Sequence, residues 1–336
     1  MATGMTPRER VLGALARKKM DRPAVGCITQ SATVDEMEAV KAYWPEAHTD
    51  PRQMATLGAA GAKVFGFENA RIPFCLTVEA EIMGAVVDLG KMDRTPMVKK
   101  HPFESSDNPE VPKDIASRGR AKAVIEATKI LKQEVGKELA IVAGTTGPFT
   151  IAGHMVGTEN ILLWIVTEPE SVHKFLKIAA QVERDYVKAL AAAGADIIAM
   201  SDPSASTDML SGEMFDEFAA PYIKTAFADA GNAKKVLHIC GDTTILLEHM
   251  LATGADGLSI EEKVKPEEAV KIVNGRAALI GNIGVVRPLL QGTPDEVTAA
   301  TKRVVESGFN FVSPGCGLAA RVPADNIRAL VKAVKG

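Results

Sequence analysis

The chain has 336 residues, 46% hydrophobic and 24% charged, with a net charge of −3, the profile of an ordinary globular protein. That charge gives no support to nucleic-acid binding. No apolar run approaches the roughly 20 residues of a membrane span, and the N-terminus lacks a secretory h-region, so a cytoplasmic location is expected.

Thr6-Pro7-Arg8-Glu9 is a capping box with proline at the first helical position, opening an N-terminal helical segment over about residues 1–20. Asp21-Arg22-Pro23 stops it, and Ala24 to Thr29 is predicted as the first strand. Val34 to Ala42 and Pro51 to Phe65 are predicted helices. Residues 72–111 mix short apolar pieces, such as Gly84 to Leu89, with prolines and charges, and are expected to form hairpin strands and irregular loops at the barrel mouth.

From residue 118 onward the pattern is regular. Helices are predicted over Arg118–Val135, Glu159–Val166, Pro169–Ala193, Ser211–Ala230, Thr243–Thr253, Pro266–Val273, Pro294–Glu306 and Ala324–Val334. Between them lie strands over Ala140–Gly144, Asp196–Met200, Val236–Gly241, Gly257–Ile260, Ala277–Gly281 and Phe309–Val312. Strand and helix alternate with short connections, which implies parallel strands and right-handed crossovers. With Ala24–Thr29 and one strand from the irregular region the count reaches about eight, so the expected fold is a (β/α)8 TIM barrel, one domain over residues 1–336. A doubly wound open sheet is the alternative, but no Gly-rich dinucleotide fingerprint follows the first strand.

Polar residues close six consecutive strands: Thr145-Thr146, Ser201-Asp202, His238 with Cys240, Glu261-Glu262, Asn282 and Cys316. In a barrel these fall on the C-terminal rim, where active sites of this fold sit. Residues two apart on a strand share a face, so His238 and Cys240 emerge side by side. Cys316 lies in a Gly-Cys-Gly turn after a neighbouring strand. An imidazole and two thiols suit zinc better than magnesium or calcium, and three protein ligands leave a position open for catalysis. Two other readings stay open here: a partly buried histidine with two inert thiols, or a Cys240–Cys316 disulfide, which a reducing compartment disfavours.

Alternation also turns Ser259 and Glu261 inward, making Glu261 a possible fourth ligand or a solvated carboxylate. Asp202 is read as an acceptor for His238, a general base or a turn residue. Cys27 and Cys75 have apolar neighbours and are expected to be buried and inert. The loop Gly144 to Phe149 offers a weak anion-binding signal.

These residues resemble the uroporphyrinogen decarboxylase superfamily along nearly the whole chain. The likeness rests on Thr6-Pro7-Arg8-Glu9-Arg10-Val11-Leu12 with Asp21-Arg22-Pro23-Ala24-Val25, on Ser201-Asp202-Pro203, and on Gly281-Asn282. Within it, His238-Ile239-Cys240-Gly241, Gly257 to Lys263 and Pro314-Gly315-Cys316-Gly317 resemble the methylcobamide:coenzyme M methyltransferases of methanogens. The resemblance implies zinc on His238, Cys240 and Cys316, coenzyme M as the thiol substrate, and a methylated corrinoid (methylcobalamin) protein as donor and partner. Arg71, Arg287 and Arg321 are candidates to grip the coenzyme's sulfonate. Decarboxylases of the superfamily carry Arg-Gln-Ala-Gly-Arg after the first strand to bind propionates; Thr29-Gln30-Ser31-Ala32-Thr33 has neither arginine, so that alternative is disfavoured.

Overall fold

A computed structural model describes residues 4–104 and 106–336. Thr6 accepts a bond from the Glu9 N–H at 3.2 Å and Glu9 accepts one from the Thr6 N–H at 2.8 Å, so the capping box starts a helix at Pro7–Leu15. Among the described residues ten strands follow: β1 (Ala24–Val25), β2 (Asn69–Ile72), β3 (Val86–Asp88), β4 (Met97–Lys100), β5 (Ala140–Thr146), β6 (Ile197–Ser201), β7 (Lys234–His238), β8 (Gly257–Ile260), β9 (Ala278–Ile283) and β10 (Phe311–Pro314). Eight of them form a parallel sheet in the order β1-β10-β9-β8-β7-β6-β5-β2, and β3 and β4 pair as a separate antiparallel hairpin.

The sheet closes between β1 and β2 by a different device. The Glu68 N–H donates to the Val25 carbonyl at 2.9 Å. The Asn69 amide then clamps the backbone of Cys27, donating to its carbonyl at 2.8 Å and accepting from its N–H at 3.1 Å. The Glu68 carboxylate accepts from the Val25 N–H at 2.9 Å and from Arg10 and Arg22 at 2.7 Å each. Side chains thus stitch the seam where β1 is too short to run a ladder, and the result is a (β/α)8 barrel.

Alternate strand residues set the interior. Ala24, Ile28, Ala140, Val142, Ile197, Ala199, Val236, Ala278, Ile280 and Phe311 form one buried cluster with Val11, Ala14 and Leu15 of the first helix, which therefore caps the N-terminal end of the barrel. Two residues further along the same faces the side chains turn polar: Ser201 after Ala199, His238 after Val236 and Ser313 after Phe311, all buried. An apolar plug below and a polar layer above point chemistry to the C-terminal rim.

Several elements differ from expectation. The run Ala24–Thr29 is a strand only at Ala24–Val25, and the second barrel strand, Asn69–Ile72, precedes the irregular stretch instead of lying inside it. Helices at Val78–Ile82 and Pro148–Val156 were not expected. Ser211–Ala230 divides near Ala219, because Pro221 lacks an N–H for a continuous ladder. Among the described residues no single helix is long and apolar enough to cross a membrane; Pro148–Val156 and Thr158–Thr167 pass only as a pair, and they bend by 102°.

One packing detail predicts acid sensitivity. His48 is fully buried, stacked on Trp44 with centroids 5.1 Å apart, and neither ring nitrogen has a partner. Burial, helped by the Arg120 charge, pushes its pKa down to about 3. The unfolded chain therefore binds a proton at about pH 6.5 that the folded one refuses, so stability falls as pH drops from about 6.5 toward 3. Replacing His48 with phenylalanine keeps the stacking and removes this proton. Between pH 7.5 and 5 the parent is expected to lose ~2 kcal/mol more than the variant in urea melts; equal losses in both would rule this role out.

Candidate metal centre

Strand β7 ends at His238, so Cys240 stands on the following turn, not on the strand. Gly241, at φ +85°, lets the backbone reverse there. Cys240 Sγ lies 3.4 Å from His238 Nε2 and 3.7 Å from Cys316 Sγ. The three ligand atoms all fall within 4.8 Å of one another, the only such group among the described residues. A tetrahedral zinc with Zn–S of about 2.3 Å and Zn–N of about 2.0–2.1 Å has an S···S edge of about 3.8 Å and an S···N edge of about 3.6 Å. The Cys240–His238 and Cys240–Cys316 spacings match those edges. A disulfide needs sulfurs about 2.05 Å apart, and all four cysteines are free.

The supports around these groups come from other strands. His238 Nδ1 sits 3.2 Å from the Ser259 carbonyl and 3.1 Å from its hydroxyl, and Ser259 is its register partner on β8. That contact holds the ring so that Nε2 faces the thiols. The Thr29 hydroxyl donates to the Cys316 carbonyl at 2.7 Å, the Gly315 N–H donates to the Ile283 carbonyl at 2.8 Å, and the Leu318 N–H donates to the Gln30 carbonyl at 2.9 Å. The cysteine loop is thereby fixed from the segment that follows β1 and from β9 without using Sγ. The two thiols are coupled: the contact between them, aided by His238, holds Cys316 well below the usual thiol range and raises Cys240.

Glu261 stands outside the tight triad. Its half-buried carboxyl faces the Gly241 N–H and the Cys240 thiol, and burial followed by the Cys316 charge raises its pKa. The Glu262 carboxylate lies against Gly315.

Asp202 does not orient His238 by its side chain. Its carboxylate accepts from the Phe149 N–H at 3.1 Å, the Thr150 N–H at 2.8 Å and the Thr150 hydroxyl at 2.7 Å. It caps the helix Pro148–Val156 in place of Gly147, whose missing Cβ is what lets Asp202 approach. Burial nevertheless pushes its pKa up to about 6. The anion-loop reading of Gly144–Phe149 gives way to the same fact, since those donors already have an acceptor. Asn282 lies within β9, and its amide donates to the carbonyls of Glu261 at 3.1 Å and Val264 at 2.8 Å. It braces the Glu261 loop and presents no free amide hydrogen pair to a cofactor.

The uroporphyrinogen decarboxylase family model matches residues 6–336. The chain belongs to this family, in its methyltransferase branch. A methylcobamide:CoM methyltransferase MtaA of Methanosarcina barkeri is 38% identical over 98% of this chain and 97% of its own length. A methylcobamide:CoM methyltransferase MtbA of Methanosarcina acetivorans is 39% identical over 99% of this chain and 98% of its own. Among solved structures, a methyltransferase from Methanosarcina mazei superposes with a TM-score of 0.95 at 37% identity, covering 98% of both chains. In this family member the segment Thr29–Thr33 supplies the hydroxyl that holds the Cys316 carbonyl.

Proposed function

We propose that this protein moves a methyl group from a methylated corrinoid, carried on a partner protein, to the thiol of coenzyme M, at a zinc ion held by His238, Cys240 and Cys316. The observation that carries this reading is the donor set: one imidazole and two thiols at tetrahedral-edge spacings on the rim of a barrel. Its setting adds support, since relatives named for this activity match the chain end to end. Zinc bound there would lower the pKa of a substrate thiol so that it is present as thiolate at neutral pH.

The protein's own residues do the rest. Ser259 fixes the ring of His238, and Thr29 fixes the Cys316 loop. Glu261, beside Cys240, would supply a fourth donor when no thiol is bound. In the overall change a carbon–sulfur bond forms as the carbon–cobalt bond breaks, both electrons of the latter stay on cobalt, and the thiol proton passes to solvent. A protein-borne donor requires an open mouth. Exposed Met209, Ile245 and Val286, on segments that follow β6, β7 and β9, give that rim an apolar edge. Free thiols throughout also fit a reducing, cytoplasmic location.

Glu261→Gln is expected to retain zinc and to alter thiol binding several-fold; unchanged binding and kinetics would remove the carboxylate from the site. The reading itself is tested by metal analysis with zinc X-ray absorption on the thiol-free protein. One zinc per chain with two sulfur neighbours is expected. No zinc uptake, or a shell without sulfur, would overturn it.

A further inference from the structure

Arg71 places a buried guanidinium in the barrel interior. It shares a register position with the inward Val142 of β5, and its guanidinium lies over Gly144, where a Cβ would collide with it. The residue is 1% exposed. Its Nε donates to the Ile28 carbonyl at 3.3 Å and Nη1 to the Pro73 carbonyl, while Nη2 has no partner. No carboxylate pairs with it. The nearby Glu79 spends its oxygens on Thr146, accepting from the N–H at 2.8 Å and the hydroxyl at 2.7 Å. Burial pulls Arg71 down to about 10, which leaves it charged at neutral pH.

A buried guanidinium with a spare donor and no counter-anion is costly unless an anion joins it. The position of this one is telling. Arg71 bonds to the carbonyl of Ile28, and the next residue, Thr29, holds the carbonyl of Cys316. The free Nη2 and the metal triad are therefore hung on adjacent residues of the same chain segment. The other two arginine candidates are already paired at the surface, Arg287 with Glu296 at 3.4 Å and Arg321 with Asp93 at 3.0 Å.

We propose that Arg71 is the substrate-binding residue for the acidic head group of the thiol, pairing through Nη2 with the sulfonate of coenzyme M while the sulfur reaches the His238–Cys240–Cys316 site. The proposal rests on the thiol methyltransferase reading above and deepens it. It makes the enzyme selective for short thiols that end in an anion: the fixed cation and the thiol site together measure both charge and length. The bidentate reach of a guanidinium toward an oxyanion suits this task better than a lysine would.

The test compares 2-mercaptoethanesulfonate with 2-mercaptoethanol, which has the same thiol and no charge, by calorimetric titration of the zinc-loaded protein. The parent is expected to bind the sulfonate at least about 100-fold more tightly. Arg71→Gln is expected to bring the two thiols to within a few-fold of each other, with zinc content and 2-mercaptoethanol binding unchanged. A residue with only a structural role would weaken both thiols alike, and that result, or a preserved preference, overturns the proposal. If Arg71→Gln does not fold, the parent still decides. Ethanesulfonate, which lacks the thiol, is expected to compete with 2-mercaptoethanesulfonate and to raise the melting temperature of the metal-stripped chain. Absence of both effects overturns the proposal. A zinc-loaded parent that binds neither thiol yet is stabilised by ethanesulfonate would sink the methyltransferase reading and leave the Arg71 anion site standing.

Discussion

Cys316→Ser is expected to weaken zinc binding by more than about 100-fold and to abolish methyl transfer, while the barrel stays folded. Removing even a residue that merely supports a metal ligand costs 10–100-fold, and a serine hydroxyl is no substitute for a thiolate. The fold should tolerate the change because the cysteine loop is held by Thr29, Ile283 and Gln30 through backbone groups. His238→Ala should behave the same way, since Ser259 then has no ring to orient. Cys27→Ser is the control. Cys27 is buried within the same end of the barrel, its thiol pushed up to about 12 by burial, but it lies outside the triad. Metal analysis of the three variants with circular dichroism should separate them: zinc lost, zinc lost, zinc kept. Full occupancy in the first two would end the ligand assignment.

The second large effect concerns the seam. Glu68→Ala should destabilise the chain by about 1–3 kcal/mol, because it leaves the buried Val25 N–H without its acceptor and takes one of two carboxylates from Arg10, which keeps Asp21. Glu68→Gln keeps an acceptor for Val25 and should cost less. Urea unfolding of the three proteins measures this, and a loss below ~1 kcal/mol for the alanine variant would show that the barrel closes without its carboxylate.

How much of this was legible in the sequence depends on where each structural cause lies. His238, Cys240 and Cys316 could be picked out because strand alternation and the Gly-Cys-Gly turn are local signals. Ser259 was placed inward by the same alternation, yet its bond to His238 is a register contact between neighbouring strands, which sequence spacing does not give. Asp202 misled for a related reason. It follows a strand as a catalytic aspartate would, but its partners are the N–H groups of a helix that begins after a different strand. That helix, Pro148–Val156, escaped notice because its own cap position is Gly147, with no side chain to announce it. The strand Asn69–Ile72 shows no apolar alternation, because its inward residues are Asn69, which closes the barrel, and Arg71. Such polar residues are placed in strands by function and closure, not by propensity.

The most direct test of the whole account is methyl transfer from free methylcobalamin to 2-mercaptoethanesulfonate, followed by the loss of the methyl–cobalt absorbance. Zinc-loaded protein is expected to demethylate the corrinoid only when that thiol is present, and metal-stripped protein to do nothing until zinc is restored. Demethylation that proceeds equally without zinc, or not at all with zinc and thiol both bound, would contradict it.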